Sequence, residues 1–368
     1  MRGGTSKAIF LNKGDLPADP ERRDKLILKI FGSPDVRQID GLGGAEPLTS
    51  KLAIIGPPTV EGADINYTFG QVGIGKPYID YSGNCGNISS AVGPYVIDEK
   101  MVLVTYPTTT VRIYNTNTDR ILVAEIPVED GMTKVCGDYA IDGVPGTAAK
   151  ITLDFAATVG VINGNVLPTG NRKDILLIEG FGEIEVSIVD AGNPVVFVRA
   201  RDIGMIGTEG PNEVDSNKEL LDLLEKIRTH AAIAIGMDMT CAQISEKSPA
   251  FPMIAFVSEP ADYMAYGTGK LISKAQVSFI ARLMFMQILH KTYAGTGTTC
   301  SGIAAKISGT IVNEVLVDTG DVMSIGHPSG VIEIEAVVRE NNGVISVKRA
   351  AFGRTARKIM DGFVYVGV

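Results

Sequence analysis

Cys85 has the surroundings most typical of a reactive side chain in this sequence. It belongs to the segment Ser-Gly-Asn-Cys-Gly-Asn over residues 82–87, and an apolar run that can form a helix begins at Ile88. Asn87 is a good N-cap, which predicts that the thiol lies just before a helix N-terminus. The free N–H groups and the positive dipole end found there stabilise a thiolate and can also bind a carboxylate. The simpler interpretation is a Gly-Asn turn with an incidental buried cysteine.

Lys51 is the second candidate for chemistry. It follows Thr49 and Ser50 and opens the apolar run 52–55, which predicts a lysine at the mouth of a strand. A nearby ammonium stabilises a thiolate, and a thiolate raises the pKa of a lysine, so the two groups would titrate jointly. Considered alone, Lys51 is more simply explained as a solvated side chain at the end of a strand.

The size and charge of the chain restrict its class. Its 368 residues suffice for about two domains, and 45% hydrophobic with 21% charged residues is ordinary for a soluble protein. The net charge of −8 argues against a general nucleic-acid binder. It does not exclude a small anionic substrate, because such a substrate responds to local charge.

Neither a metal site nor a cofactor site is predicted. The four cysteines have no close metal-ligand spacing, and the chain has three histidines. No G-x-G-x-x-G follows a strand, and the phosphate-loop spacing is absent. The most apolar predicted helix, near 275–289, is interrupted by Arg282 and Gln287 and is too polar to cross a membrane. With no secretion signal in the sequence, we expect a cytoplasmic protein with reduced thiols.

The elements that must position these residues follow the same order in both halves of the chain. Each half is predicted to run strand, glycine turn, strand and helix, and then a glycine-rich loop that opens a second helix. In the first half that loop is 82–87, and Pro94 predicts a kink or a restart in the helix that follows. In the second half a helix over about 273–290 leads to the loop 294–300, Ala-Gly-Thr-Gly-Thr-Thr-Cys.

The layout also predicts the domain division and the kind of cleft. The best candidate linker is 166–174, so the predicted domains are 1–170 and 171–368, with the extreme C-terminus able to cross back. Two such halves facing each other would place two helix N-termini on one cleft. That cleft would suit a substrate with a carboxylate at each end.

Motifs spread over nearly the whole chain resemble one known family. They lie at residues 1–7, 38–44, 49–51, 82–87, 111–118, 143–146, 167–170, 326–330 and 354–357. Together they resemble the 2-methylaconitate isomerase family, which also includes 3-methylitaconate Δ-isomerase, 4-oxalomesaconate tautomerase and aconitate Δ-isomerase. The resemblance implies a diaminopimelate-epimerase-like fold of the α/β (α+β) class. Such a fold has two similar domains, each a β-sheet curled around a central helix, with the active site in the interdomain cleft.

The resemblance also implies proton transfer without a cofactor, carried out by Lys51 and Cys85. Diaminopimelate epimerases use two cysteines, one from each half, as acid and base. Here the position of the second cysteine, just before Gly295, is Ala294, and Cys300 lies further on. The chain is therefore not expected to invert a stereocentre with two thiols. In the methylaconitate branch a lysine takes the second role, and Lys51 matches it.

Substrate carboxylates are expected to contact backbone N–H groups and a few side chains of these motifs. Arginine suits a planar carboxylate because it can pair with both oxygens. His327 could face the substrate or cap a turn. The predicted substrate-binding residues are Arg2, Ser6, Asn84, Gly86, Asn87, Ile88, Thr296, Gly297 and His327.

These residues predict an isomerase that shifts a double bond by 1,3-proton transfer in a small unsaturated di- or tricarboxylate. The chemistry needs a base, an acid for the other carbon, and dipoles aimed at the developing oxyanion. The first choice is 3-methylitaconate to 2,3-dimethylmaleate, with 2-methylaconitate isomerisation and 4-oxalomesaconate tautomerisation as alternatives. A non-catalytic carboxylate-binding protein is the alternative of another class. The sequence leaves open which of Lys51 and Cys85 is the base, and whether the chain forms a homo-oligomer.

Overall fold

The computed structural model describes residues 1–317 and 320–367. Its strands are β1 Arg2–Gly3, β2 Ser6–Asn12, β3 Lys51–Gly56, β4 Ile65–Val72, β5 Ile79–Asp80, β6 Thr108–Asn115, β7 Arg120–Glu129, β8 Met132–Thr133, β9 Ile151–Asp154, β10 Asp174–Ile178, β11 Gly182–Ala191, β12 Asn193–Arg199, β13 Met253–Ser258, β14 Tyr263–Met264, β15 Leu271–Ile272, β16 Phe279–Phe285, β17 Ile288–Leu289, β18 Val322–His327, β19 Gly330–Asn341, β20 Val344–Arg354 and β21 Ala356–Arg357. Its helices are α1 Pro20–Phe31, α2 Gly86–Asp98, α3 Pro211–Ser216, α4 Lys218–Ala234, α5 Cys241–Lys247, α6 Gly295–Lys306 and α7 Ile311–Val315.

Contacts divide the chain into two compact units. Unit 1 consists of Met1–Leu153 and the residues from Gly353 onward, and unit 2 is Asp154–Phe352. The boundary predicted between residues 170 and 171 therefore lies inside unit 2. The predicted linker is anchored at its start, because Val166 is buried and its carbonyl accepts the backbone N–H of Asp190 on β11, whereas Gly170 and Asn171 are exposed.

Unit 1 wraps a sheet around helix α2. Along this sheet β1 and β2 are antiparallel, β2 and β3 parallel, β3 and β4 antiparallel, β4 and β6 parallel, and β6 and β7 antiparallel. Helix α2 packs against β1, β2, β3, β6, β7 and β8, and nearly all of its residues are buried. A helix that is apolar on every side must be buried, and here the strands of the sheet cover it. The predicted sheet curled around a central helix is therefore present in unit 1.

Unit 2 repeats this order of strand pairings. β11 and β12 are antiparallel, β12 and β13 parallel, β13 and β16 antiparallel, β16 and β18 parallel, and β18 and β19 antiparallel. Helix α6 packs against β11, β12 and β19 and is likewise almost wholly buried. The likeness of the two halves, visible in the sequence only as a layout, is thus a likeness of topology.

The prediction of a helix over about 273–290 is wrong. This segment forms a 3-10 helix at Lys274–Gln276, followed by the hairpin of β16 and β17. Every residue of β16 is buried, so both faces of the strand are covered and the usual alternation of buried and exposed residues is lost. Periodicity alone does not distinguish such a strand from a buried helix. The hairpin turn places Met286 and Gln287 at positive φ, which a helix interior does not allow.

Two expectations for the central helix of unit 1 also need correction. Helix α2 begins at Gly86 with Cys85 as its N-cap, so Asn87 is the second helical residue rather than the cap. The helix runs through Pro94 to Asp98 without a restart, so of the two outcomes expected at Pro94 the kink alone stays a prediction. Proline removes one backbone hydrogen bond from a helix, and burial of the surrounding residues offsets that loss.

Candidate active site

Lys51 is the first residue of β3, and its neighbour across the sheet holds its side chain. β3 and β4 pair with Lys51 opposite Gln71. The Lys51 Nζ donates to Gln71 Oε1 at 2.9 Å. Gln71 Nε2 in turn donates to the carbonyls of Pro47 at 3.1 Å and Ser50 at 3.2 Å, which fixes the orientation of the amide. Lys51 is 2% exposed, so the alternative of a solvated lysine does not apply.

Cys85 is the N-cap of α2, and its side chain forms a hydrogen bond with Lys51. Its backbone is extended, with φ −118° and ψ 101°, and its N–H donates to Asn84 Oδ1 at 2.7 Å. Its carbonyl accepts the backbone N–H of Ser89 at 2.8 Å and the Ser89 hydroxyl at 3.0 Å. The structure therefore brings together the two residues that the sequence singles out for chemistry.

The first turn of α2 lies directly after the thiol. It is formed by Gly86, Asn87 and Ile88, all of them buried. The first N–H groups of an α-helix have no partner within the helix, and the positive end of the helix dipole lies there. This end of α2 therefore has the chemistry of an anion site beside Lys51 and Cys85.

Burial lowers the pKa of Lys51 below its ordinary value of 10.5, because the charged amine loses its hydration. Cys85 acts in the opposite direction through its charge and its hydrogen bond, but the effect of burial is larger. The expectation that a thiolate raises the lysine pKa describes only the smaller effect, so the net direction is the opposite one. The shift is toward the neutral amine, which is the form that can accept a proton.

Tyr67 is a buried neighbour of the thiol and is not among the residues predicted from the sequence. It lies on β4, and its side-chain hydroxyl contacts Ser89. Burial raises the pKa of Tyr67 well above its ordinary value, and the charge of Cys85 raises it further, while Ser89 opposes this. Tyr67 is therefore a neutral hydroxyl. Because alternate residues of a strand share a face, Tyr67, Phe69 and Gln71 form one buried row on β4. The alternation of these residues in the sequence was the signal that could have placed Tyr67 on the same face as Gln71.

Asn117 connects the loop that carries Cys85 to strand β4. Its Oδ1 accepts the backbone N–H of Phe69 at 2.8 Å, and its Nδ2 donates to the carbonyls of Phe69 at 2.8 Å and Tyr81 at 2.7 Å. Three hydrogen bonds from one amide thus fix the approach of the loop to the strand that also holds Gln71.

Arg2 and Ser6 lie on the hairpin of β1 and β2. Arg2 Nη1 donates to the carbonyls of Gly4 at 3.0 Å and Thr355 at 2.8 Å, and to Thr355 Oγ1 at 3.0 Å. Structural contacts thus occupy this nitrogen of Arg2. Ser6 Oγ is buried and has no hydrogen-bond partner within the described part of the chain. A buried hydroxyl of this kind is available to a ligand, which supports the predicted role of Ser6.

Helix α6 of unit 2 begins in the same way as α2. Its N-cap is Ala294, whose carbonyl accepts the backbone N–H of Thr298 at 2.7 Å and the Thr298 hydroxyl at 3.0 Å. Cys85 and Ser89 make the same pair of bonds in α2. Ala294 therefore occupies the position in unit 2 that Cys85 occupies in unit 1.

Thr296 and Gly297 belong to the first turn of α6, which starts at Gly295, and not to a loop before the helix. They match the positions of Asn87 and Ile88 in α2. Their predicted contact with a substrate carboxylate stays a prediction, now attached to a helix N-terminus.

His327 ends β18 and is buried. Its Nδ1 accepts the backbone N–H of Ser329 at 3.2 Å, so the imidazole caps the turn between β18 and β19. Its ring also stacks with that of Tyr293, with 6.5 Å between centroids. Turn capping is one of the two roles expected from the sequence, and a contact with substrate stays a prediction.

Cys300 lies inside α6 and is fully buried. Its Sγ donates to the carbonyl of Val189 at 3.1 Å, and burial raises the pKa of this thiol well above its ordinary value. A buried thiol of this kind is unreactive.

Residues 1–317 and 320–367 contain neither a candidate metal site nor a candidate membrane-spanning helix. No three His, Cys, Asp or Glu side chains in these residues are grouped to hold a metal ion. None of the helices in the same residues is both long enough and apolar enough to cross a bilayer.

Two α/β units, each with a sheet around a buried helix, place this chain in the class of epimerase-like folds. A crystal structure of methylitaconate-delta-isomerase is similar, with a TM-score of 0.82 and 58% identity, covering 99% of this chain and 94% of that one. A hydroxyproline epimerase from Agrobacterium vitis shares the fold, with a TM-score of 0.51 and 15% identity, covering 92% of this chain and 79% of that one.

Sequence relatives define the family more closely. The family described as PrpF protein matches residues 1–367. The chain is 58% identical to 3-methylitaconate isomerase from Eubacterium barkeri, covering 100% of this chain and 96% of that relative. It is 37% identical to 2-methyl-aconitate isomerase from Shewanella oneidensis, covering 100% of this chain and 95% of that relative. The chain therefore belongs to the PrpF protein family and is an isomerase, which confirms the resemblance drawn from its motifs.

Proposed function

We propose that this isomerase converts 3-methylitaconate to 2,3-dimethylmaleate by moving a proton between two carbons. The observation that carries the proposal is the hydrogen-bonded pair of Lys51 and Cys85 at the N-terminus of α2. The 58% identity to 3-methylitaconate isomerase supports this acid as the substrate.

Lys51 is the base and Cys85 the acid in this proposal. Because burial favours the neutral form of its amine, Lys51 can take the proton from the carbon that bears the methyl group and a carboxylate. A C–H bond breaks, an N–H bond forms, and the negative charge spreads over the carboxylate and the neighbouring double bond. The Cys85 thiol then gives its proton to the terminal methylene carbon, which becomes a methyl group.

The hydrogen bond between the two side chains closes the cycle. After one turnover Lys51 carries the extra proton and Cys85 is a thiolate. Since the two groups are hydrogen-bonded, the proton can pass from nitrogen to sulfur and restore the starting state. Gln71 Oε1 can accept from Nζ in either protonation state, so it holds the amine throughout.

The charge that develops on the substrate needs aligned N–H groups and other polar partners. The first turn of α2 and the unpartnered hydroxyl of Ser6 are proposed for one carboxylate. The first turn of α6 is proposed for the other. The complete proposed set of substrate contacts is Arg2, Ser6, Asn84, Gly86, Asn87, Ile88, Thr296, Gly297 and His327.

Two other acids remain alternatives for the substrate. 2-Methylaconitate and 4-oxalomesaconate would use the same proton transfer, and the 37% identity to 2-methyl-aconitate isomerase supports the first of them. All three acids should be compared as substrates, with the largest kcat/KM expected for 3-methylitaconate.

Turnover by the wild type and by single variants tests the proposal. Ultraviolet absorbance follows the change in conjugation. Lys51→Met and Cys85→Ser should each lower kcat about 10²–10⁴-fold, the usual contribution of a positioned acid or base. Cys136→Ser alters an exposed thiol and is the control that should keep full kcat. Full activity of either site variant would remove that residue from the mechanism, and no turnover of any of the three acids would refute the proposal.

A carboxylate-binding protein without chemistry is the alternative of another class. It would have no use for a thiol hydrogen-bonded to a buried amine. Alkylation by iodoacetamide separates the two, with peptide mass spectrometry to distinguish Cys85 from the exposed Cys136. The enzyme should show a Cys85 that reacts and that substrate protects, whereas an unreactive Cys85 would favour the binding protein.

We also propose that the enzyme is cytoplasmic and acts without a nucleic-acid partner. The net charge of −8 and a mechanism that needs a reduced thiol support both statements. Cell fractionation tests the first, retention on immobilised DNA tests the second, and sedimentation gives the oligomeric state.

A further inference from the structure

The proposed reaction creates negative charge beside Cys85, and a fixed positive charge nearby would stabilise it. The proposed role of Lys51 as the base requires a neutral amine at the start of the cycle, so a permanent positive charge must come from another side chain. Arg354, the last residue of β20, is a buried cation of unit 1 whose charge interacts with Cys85. In the sequence Arg354 opens the motif 354–357, to which no role in the site is assigned.

Arg354 is bound to the first turn of α2. Its residue is 3% exposed, and its Nε donates to Asn87 Oδ1 at 2.8 Å. Its Nη1 donates to the carbonyl of Gly353 at 3.0 Å. Asn87 Nδ2 donates in turn to Thr5 Oγ1 at 3.1 Å. Both ends of the Asn87 amide are thus fixed, two residues after Cys85.

The hairpin of β1 and β2 packs tightly over the contact between Arg354 and Asn87. A Cβ on Gly4 would lie 2.2 Å from Asn87 Oδ1 and 3.0 Å from Arg354 Cδ, and Gly4 has a φ of +50°. A Cβ on Gly3 would lie 2.5 Å from the backbone oxygen of Asn87. Only glycine allows this close approach. A charge enclosed in this way acts more strongly on its neighbours than it would in water.

We propose that Arg354 is a positioning residue for the isomerase reaction, which holds Asn87 at the N-terminus of α2 and sets a fixed positive charge beside Cys85. The inference rests on the proposed function and adds to it the side chain that supplies a permanent positive charge near the reacting groups. In each turnover the guanidinium would stabilise the negative charge that develops on the substrate beside Cys85.

The charge state of Arg354 is compatible with this role. Burial lowers the pKa of its guanidinium to about 10, while Tyr139 and Cys85, the titratable groups that face it, raise it. Lys150 lies over the Tyr139 ring, 5.0 Å from its centroid. With a pKa of about 10, the guanidinium is still protonated at neutral pH.

Replacing Arg354 by lysine separates a charge effect from simple packing. A lysine begins at a lower pKa than an arginine, and burial lowers it further. For both proteins kcat should fall as the pH rises and the side chain at position 354 loses its proton. This fall should begin at a lower pH in Arg354→Lys than in the wild type. An arginine that only fills space would give no such shift. Arg354→Met should lower kcat about 10²-fold with a smaller change in KM, because the charge acts most strongly in the transition state.

Arg228→Met is the matched control. Arg228 is also 3% exposed, and it is held by Glu225 and by backbone carbonyls in unit 2. This variant should lower the melting temperature and leave the pH profile of kcat unchanged.

Either of two outcomes would overturn the inference. One is a pH profile of kcat for Arg354→Lys that superimposes on that of the wild type, and the other is an unchanged kcat in Arg354→Met. If Arg354→Met does not fold, the profile of Arg354→Lys decides. Wild-type turnover of 3-methylitaconate in the same assay tests the proposed function separately, so that failure of one is distinguished from failure of the other.

Discussion

Replacing Lys51 by methionine should remove a pH dependence from the stability of the protein. Burial lowers the pKa of Lys51 in the folded state, whereas the unfolded chain has the ordinary value of 10.5. Between these two values the unfolded chain binds a proton that the folded chain does not. The free energy of unfolding of the wild type therefore rises with pH through this window, by about 1.4 kcal/mol per pH unit for one proton. The Lys51→Met variant lacks this contribution.

The assay is urea unfolding of both proteins at a series of pH values from neutrality to about 10. The quantity of interest is how the difference between their free energies changes with pH. Methionine also leaves Gln71 Oε1 without the donor it has in the wild type, which adds an offset that does not depend on pH. Lys25→Met is the control, because Lys25 is exposed and pairs with Glu21. A difference between wild type and Lys51→Met that stays constant with pH would refute the lowered pKa of Lys51.

Two changes close to the site test its packing and its hydrogen bonds. Gly4→Ala should lower the free energy of unfolding by about 1–3 kcal/mol, because the new Cβ would overlap the Asn87 amide at positive φ. Calorimetry should find no such loss in Gly14→Ala, where a Cβ meets nothing within 4 Å; equal losses in both would contradict the packing described. Gln71→Leu should lower kcat about 10²-fold, since Lys51 loses the acceptor that orients its amine. Steady-state kinetics measures this, and an unchanged kcat would show that the amide is not needed.

Of the two residues proposed for proton transfer, Cys85 carries a local signal in the sequence, whereas Lys51 is singled out mainly by the resemblance of its motif to the isomerase family. Cys85 stands between glycine and asparagine residues at the start of an apolar run, and Lys51 opens a strand. A local signal also marks helix α1, which Asp19 caps and Gly32 ends in the left-handed conformation. Such signals depend on a few neighbouring residues, so a single sequence reveals them.

The partners of the pair could not be predicted in this way. Gln71 reaches Lys51 through the register of β3 and β4, and Arg354 contacts Asn87 across 267 positions of the chain. Nothing near these residues in the sequence specifies either contact. The direction of the Lys51 pKa has the same origin, because it depends on how completely the folded unit excludes water from the amine.

The error over 273–290 has a different physical cause. Strand β16 is buried on both faces, so its apolar run lacks the alternation that distinguishes a strand from a helix. The substitution of Ala294 for a second thiol, in contrast, was visible in the sequence. The structure adds that Ala294 is the N-cap of α6, as Cys85 is of α2.

Hydrogen exchange in deuterium oxide tests most directly the central claim that Lys51 removes a proton and Cys85 supplies one. NMR would follow 3-methylitaconate at the methine carbon, which bears the methyl group and a carboxylate, with wild type, Lys51→Met and Cys85→Ser. The Cys85→Ser variant should still exchange the methine hydrogen with solvent while forming little product, because the base is intact and the acid is missing. The Lys51→Met variant should lose this exchange together with product formation. Methine exchange at the wild-type rate in Lys51→Met, or its loss in Cys85→Ser, would contradict the assignment of the two roles.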